Sequence, residues 1–386
     1  MRIAVVGAGA IGVTIAARLA QKGAEVILLD QAFPGGGTTS TSYAWINSNG
    51  KEPFPYFDIN RAGLKAHKLL SPKDDSGWLG LGGHVEIAVH DPHVRDLRAR
   101  ISRLKSLGYG VEEVTREQAS ALLPDAVLSD DAQLIAHFTE EAYVYPAKYV
   151  AHMLGEARDA GVSVRTGCEV TCFRPVENAV EINSVNGSSI CVDKVVSAVG
   201  RWTAGFAARA GVTVPVREFT EIGDIVVGYL AVTNPLPVRL SRLITSPWLN
   251  VRPAGGGRLM LQALDLDITA NPNDVPAPAS ALGEAFLKRL RSLLANTEGA
   301  RIDEIVVGQR AMPEDGRTIA GFVPQAPWLY VVATHSGLTL APFLGEAVAE
   351  EIFGQRQNML EAFRVERFFT DKTYGRPYAP RKPGEQ

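Results

Sequence analysis

Apolar positions along this chain follow two rhythms that take turns. In the first, a short unbroken apolar run leads into a pattern with helical spacing, as expected of a strand covered on both faces and the helix packed against it. Ile3-Ala4-Val5-Val6 predicts such a strand, and residues 11–22 predict a helix with Ile11, Ile15, Ala16 and Leu19 on one face. Gly23 stops that helix, and 25–29 form a second apolar run ending at Asp30. The same rhythm predicts a helix over 56–70 and a helix opened by Pro146, with Tyr149, Val150, Met153 and Leu154 on its apolar side. It also predicts strands over 162–165, 169–173, 180–182, 194–198 and 328–333, and a long helix over 338–352. The second rhythm alternates like half-buried strands: over 80–90, through most of 223–264 with breaks at Asn234-Pro235 and Gly255-Gly256-Gly257, and over 302–307. A basic amphipathic helix over 94–107 and a helix over 281–294 lie within these blocks.

Strand–helix blocks separated by alternating blocks predict an α/β fold with two interleaved domains. A Rossmann-type dinucleotide-binding domain would be assembled from 1–72, 142–210 and 309–371. A discontinuous antiparallel-sheet (α+β) substrate domain would come from 73–141 and 211–308. Residues 372–386, rich in proline and charge, predict a flexible tail.

A length of 386 residues leaves room for two cores. With 21% charged residues and a net charge of −3, no field of one sign points to nucleic acid or an anionic membrane. No run approaches the roughly 18–20 apolar residues of a membrane span. The apolar N-terminal run is broken by Gly7, Gly9 and Gly12, unlike a secretory leader. Cys168, Cys172 and Cys191 are odd in number and lack C-x-x-C spacing, so a cytoplasmic, reducing compartment is expected. Buried packing in strands is the expected role of Cys168 and Cys172. Oligomeric state is left open.

Candidate chemistry begins at Gly7-Ala8-Gly9-Ala10-Ile11-Gly12, between the first strand and the first helix. There Gly7 permits a tight turn, Gly9 lets backbone approach a pyrophosphate, and Gly12 lets helix and strand pack closely. Ala10 and Ile11 open the helix, whose free N–H groups favour phosphate. Asp30 lies eighteen residues beyond Gly12, with Gln31 beside it, where an acid accepts hydrogen bonds from a ribose diol and repels a 2′-phosphate. This motif alone serves NAD as well as FAD.

Four further stretches resemble the FAD-dependent oxidoreductase family that includes D-amino acid oxidase, glycine oxidase and monomeric sarcosine oxidase. Gly35-Gly36-Gly37-Thr38-Thr39-Ser40, followed by Ala44-Trp45-Ile46-Asn47, is similar to the family's loop beside pyrophosphate and isoalloxazine. Tyr143-Val144-Tyr145-Pro146 resembles the segment leading to the adenine-side strand near Val170. Val195-Val196-Ser197-Ala198-Val199-Gly200-Arg201-Trp202 matches an element in which Ala198, Gly200 and Trp202 would approach the cofactor. In Thr334-His335-Ser336-Gly337-Leu338-Thr339-Leu340-Ala341-Pro342, the resemblance implies that the backbone from Ser336 to Thr339 faces the flavin pyrimidine edge, where a helix N-terminus stabilises negative charge. No cysteine follows Cys191, so the cysteine link of some sarcosine-oxidase-like relatives has no counterpart and non-covalent FAD is expected.

The resemblance also implies oxidation of a C–N bond of an amino acid or secondary amine by hydride transfer to flavin N5. Arg310, in Gly308-Gln309-Arg310-Ala311-Met312-Pro313, is the first candidate to hold a substrate carboxylate, since a guanidinium matches its two oxygens. A salt bridge to Glu314 or Asp315 is its structural alternative. Arg252, His335, Trp45 and Tyr229 are further candidates for the pocket wall. Met260 stands where the resemblance implies an oxygen-activating lysine in sarcosine-oxidase-like members, so oxygen and another oxidant both stand as the expected acceptor. A 2-hydroxy acid substrate, an NAD-dependent reductase and a non-catalytic flavin-binding subunit are the alternatives. A flavin hydroxylase is disfavoured because nothing near Thr334–Gly337 resembles its G-D-A-x-H element. His84, His90 and His93 are irregularly spaced, and no metal site is expected.

Overall fold

The computed structural model describes residues 1–72, 77–370 and 375. The expected boundary at residue 73 and nearly all of the expected tail over 372–386 lie outside the described residues. The first rhythm builds a six-stranded sheet in the order Ile319–Val323, Ala326–Ala333, Lys194–Ser197, Arg2–Val6, Glu25–Leu29, Ser163–Arg165. All neighbours are parallel except the first pair, which is antiparallel.

Alternation along each strand divides the apolar side chains between two layers. Ile3, Val5, Val26, Leu28 and Val196 join a core under the helices Ala10–Gln21, Phe54–Leu70, Pro146–Asp159 and Gly337–Ile352. Ala4, Val6, Ile27, Leu29 and Val195 join the opposite core, covered by a three-stranded meander over Val170–Val176, Ala179–Ser184 and Ser189–Val192. Small residues let the helices approach closely. A Cβ at Gly63 would lie 2.3 Å from the Thr339 carbonyl oxygen, and one at Gly345 would lie 2.4 Å from Thr14 Cγ2.

The second rhythm builds an eight-stranded sheet in the order Ile302–Gln309, Val227–Thr233, Arg258–Gln262, Asn250–Gly255, Leu243–Thr245, His84–Ala88, Leu134–Phe138, Val111–Glu113. It is antiparallel except where Leu243–Thr245 runs parallel to His84–Ala88. The basic helix covers one end through Val94, Leu97, Ile101 and Leu104. It begins at Asp91 rather than at 94, because His90 accepts from the His93 N–H and Pro92 sits in the first turn. Strands over Ser189–Val192, Leu134–Phe138 and Ile319–Val323 were not expected. Cys172 is a correction: only Cys168 is buried, while Cys172 and Cys191 are exposed on the outer meander. No helix among the described residues is long and apolar enough to cross a membrane.

The histidines near residue 90 serve buried carboxylates. His93 Nε2 lies 2.9 Å and Arg100 Nη2 2.5 Å from Glu86 Oε1, and Glu86 is fully buried. Burial alone would raise the Glu86 pKa, but the Arg100 charge and the His93 hydrogen bond outweigh it and bring the carboxyl down to about 2. The stabilisation is therefore present above the usual 4.5 and is lost as pH falls from there towards 2. Glu86→Gln should flatten that part of a plot of melting temperature against pH. At neutral pH it should cost about 3 kcal/mol in denaturant unfolding, because Arg100 loses its partner.

Candidate active site

The glycine turn is shaped by close approaches. Gly7 has φ +99°, and a Cβ there would lie 2.5 Å from the Ala198 carbonyl oxygen. A Cβ on Gly12 would lie 1.7 Å from the Gly7 carbonyl oxygen, so Gly12 packs beneath the turn. Asp30 braces the turn from the next strand: Oδ2 accepts from Ala8 N at 2.7 Å and Oδ1 from Ala32 N at 2.8 Å. Ala10 N donates to Thr39 Oγ1 at 3.1 Å, tying the turn to the loop after the triple glycine.

Two helices begin at this place without a side-chain cap. Ala10–Gln21 follows Gly9, and Gly337–Ile352 follows Ser336; neither preceding residue caps its helix through a side chain. Gly9, Ala10 and Ile11 border the same cleft, of about 390 Å³, as Gly337 and Leu338. Asp30, Gln31 and Val170 border this cleft as well. So do Thr38 and Thr39, and so do Ala198, Gly200 and Trp202. Ser40 borders no cavity; its hydroxyl donates to the Gly37 carbonyl at 2.9 Å.

A second cavity of about 110 Å³ adjoins the cleft. Thr38, Ser42, His335 and Leu338 border both spaces. Trp45, Asn47, Ser336 and Thr339 border the second one, and Trp45 Nε1 donates to Glu141 Oε2 at 2.8 Å. Burial first, then the charges of Lys51 and Arg310, hold the His335 pKa well below its usual range, so its imidazole is neutral.

Arg310 borders this cavity, held from behind. Nη1 donates to the carbonyl of Ile225 at 2.8 Å and to that of Val227, while Nη2 lies 3.5 Å from Asp267 Oδ2. Its ion pair is thus with Asp267 rather than the expected Glu314 or Asp315. Tyr229 is a correction: its hydroxyl donates to the Thr269 carbonyl at 2.7 Å, and its ring packs in the core behind the sheet. Strand alternation turns its neighbours Gly228 and Leu230 to the cavity instead.

Arg252 is also placed differently. It is 1% exposed and does not border the cavity. Its Nε donates to the Tyr43 carbonyl, its Nη1 to the Pro253 carbonyl at 2.6 Å, and its Nη2 lies 3.0 Å from Met260 Sδ. The guanidinium lies 5.6 and 5.9 Å from the ring centroids of Tyr43 and Tyr143. It therefore supports the wall from behind, next to Ala44, whose φ of +56° is strained for a residue with a Cβ. His84 is likewise committed inside the protein, with Nδ1 3.1 Å from Glu141 Oε2 and Nε2 3.0 Å from Thr245 Oγ1.

Tyr43 and Lys51 are among the lining residues that sequence reasoning missed. Lys51 is only 5% exposed; burial pushes its ammonium down to about 8 against the attraction of Glu141. A lone lysine in Asn49-Gly50-Lys51-Glu52-Pro53 carries no periodic signal that it turns inward.

The family model described as FAD dependent oxidoreductase (DAO) matches residues 2–351, and the chain belongs to that family. Among curated proteins, it is 22% identical over 377 residues to the uncharacterized oxidoreductase YurR of Bacillus subtilis (strain 168), covering 92% of this chain and 95% of that protein. It is 23% identical over 363 residues to 4-methylaminobutanoate oxidase (formaldehyde-forming) of Paenarthrobacter nicotinovorans, covering 91% of this chain and 43% of the longer relative. Among solved structures, glycine oxidase from Geobacillus kaustophilus superposes with a TM-score of 0.83 at 22% identity, covering 97% of this chain and all of that one, 100%. The family membership replaces the NAD-dependent reductase alternative. The cleft fits FAD: two helices whose preceding residues supply no side-chain cap begin at it, and Gly7, where a Cβ has no room, borders it.

Gly12→Ala tests the cradle. It should lower stability by about 1–3 kcal/mol through overpacking. The purified protein should also carry less FAD per chain, read from the ratio of flavin to protein absorbance.

Proposed function

We propose that this protein oxidises a C–N bond of a small amino acid or secondary amine, with non-covalently held FAD as the immediate hydride acceptor. The observation that carries this reading is the adjoining cavity: Arg310 and neutral His335 border it, and His335 also borders the cofactor cleft. Gly9 to Ile11 would hold the pyrophosphate, Asp30 the ribose, and the backbone from Ser336 to Thr339 the pyrimidine edge. Bound FAD supplies two-electron acceptance at N5.

The rest is the work of the chain. Arg310, fixed by two carbonyls and Asp267, offers its cavity side to the substrate carboxylate and so sets the position of the α C–H. His335 adds a neutral imidazole that accepts or donates a hydrogen bond without adding a third positive charge. Among the described residues no Asp or Glu borders the cavity while Arg310 and Lys51 do, and this balance of charge favours the neutral amine over the ammonium. Loss of hydride from carbon with the nitrogen lone pair moving in gives an iminium ion, which water hydrolyses after release to the carbonyl compound and the amine or ammonium.

Under this reading the segments 1–72, 142–210 and 309–371 carry the cofactor, and 73–141 and 211–308 carry the substrate. Free thiols at Cys168, Cys172 and Cys191 support a cytoplasmic location. Met260, in contact with Arg252 rather than in the cavity lining, leaves oxygen or another oxidant as the final acceptor.

Anaerobic mixing of the FAD-loaded protein with amino acids, N-alkyl amino acids and 2-hydroxy acids should bleach the oxidised-flavin absorbance with the amines. Bleaching by hydroxy acids alone would replace this reading. Arg310→Ala should raise KM for carboxylate substrates by an amount corresponding to roughly 2–4 kcal/mol while FAD content stays constant. An unchanged KM would remove Arg310 from substrate binding.

A further inference from the structure

The small cavity has two cationic side chains in its wall, delivered by distant parts of the chain. Arg310 comes from the end of the strand Ile302–Gln309, and Lys51 from the loop before the helix Phe54–Leu70. The charges of both act on His335, which places all three groups around one small space. None of the residues lining that space is an Asp or a Glu.

One buried acid pairs with Arg310, and the charge of another acts on Lys51. Asp267, fully buried, stands 3.5 Å from Arg310 and accepts from Tyr229 N at 2.8 Å. Glu141, also fully buried, accepts from Trp45 Nε1 at 2.8 Å, Asn49 Nδ2 at 2.6 Å and Tyr109 Oη at 3.2 Å, with His84 Nδ1 at 3.1 Å. Each carboxylate thus has partners within the protein, and neither acid is among the residues that border the cavity, whereas Lys51 and Arg310 are. A further donor waits in the same wall: the Tyr43 hydroxyl is buried and has no hydrogen-bond partner among the described residues. A buried hydroxyl in a cavity wall is satisfied when a ligand acceptor arrives.

We propose that the substrate is a small amine carrying two acidic groups, one held at Arg310 and the second held at Lys51, with the Tyr43 hydroxyl donating to a carboxylate oxygen. This rests on the amine-oxidation reading for the bond that reacts, and it adds the class of molecule that fits. A monocarboxylate would leave one inward-facing cation without an anion from the ligand. A second carboxylate supplies it and excludes substrates whose distal end is cationic or long and apolar. The cavity of about 110 Å³ restricts the choice to short molecules. Lys51 is then a specificity-determining residue, and burial, which works against its charge, is what makes an arriving anion favourable.

The test uses the FAD-loaded full chain and probes that cannot be oxidised at a C–N bond. Malonate and succinate, each compared with propionate, are titrated while the shift of the flavin absorbance is followed. The unaltered protein should bind the better dicarboxylate at least about tenfold more tightly than propionate, as expected for one extra charge-assisted contact. Lys51→Met should abolish that preference, and Lys51→Arg should retain it. Equal affinities in the unaltered protein, a comparison that needs no variant, would overturn the proposal. So would a preference that survives Lys51→Met in protein with normal FAD content. Because these probes report binding alone, failure here is separate from failure of amine oxidation, which appears as a flavin that no amine bleaches.

Discussion

The first N–H groups of a helix have no partners within it, and most proteins cap them with a nearby Ser, Thr, Asp or Asn. Here two helices, Ala10–Gln21 and Gly337–Ile352, begin without such a cap from the residue that precedes them, at opposite ends of the chain, and both border one cleft. The parallel order of the sheet produces this meeting, because Arg2–Val6 and Ala326–Ala333 flank the same central strand, Lys194–Ser197. Each delivers its helix at its carboxyl end, where crevices of open α/β sheets take ligands. The positive ends of the two helices define where an anionic, phosphate-bearing cofactor lies. The cavity for a second molecule is then placed by what adjoins that cleft.

Division of the wall between the two sheets explains which side chains reach the second cavity. The eight-stranded sheet presents one face to it, so residues in step with Gly228 and Leu230 are admitted, while Tyr229 is turned into the core. Arginines obey a similar rule at greater depth. Arg310 sits at a strand end and faces the space, whereas Arg252 sits mid-strand behind Tyr43 and spends its donors on carbonyls. Lys51 and Arg310 border the cavity, whereas the buried carboxylates of Asp267 and Glu141 do not and are held by other groups of the protein.

Much of the fold was legible because its signals are local. The Gly7–Gly12 turn, the apolar runs around it and the stop at Gly23 each follow from backbone geometry and period, and the corresponding strand and helix stand where they were expected. Strands such as Ile319–Val323 escaped because an alternating stretch flanked by turns looks the same whether it pairs or not. Residues of the cofactor cleft could be named from their motifs, and so could Arg310, His335 and Trp45 of the second cavity, whereas Tyr43, Lys51 and Leu230 could not. Its lining depends on which face of a strand turns inward and on a loop lysine made buried by Glu141, Tyr56 and His335 arriving from elsewhere. Tertiary packing decides such positions, and no window of sequence contains it.

The bond from the Arg252 guanidinium to the Tyr43 carbonyl joins a strand of the large sheet to the loop that follows the triple glycine. Thr38 Oγ1 makes a second stitch, donating to the Gln309 carbonyl at 2.7 Å. Swinging the two sheets apart like a clamshell would strip a fully buried cation of its acceptors before any ligand could leave. These two bonds therefore set the cost of parting the sheets, and a ligand that enters through a small displacement at the cavity rim leaves both intact.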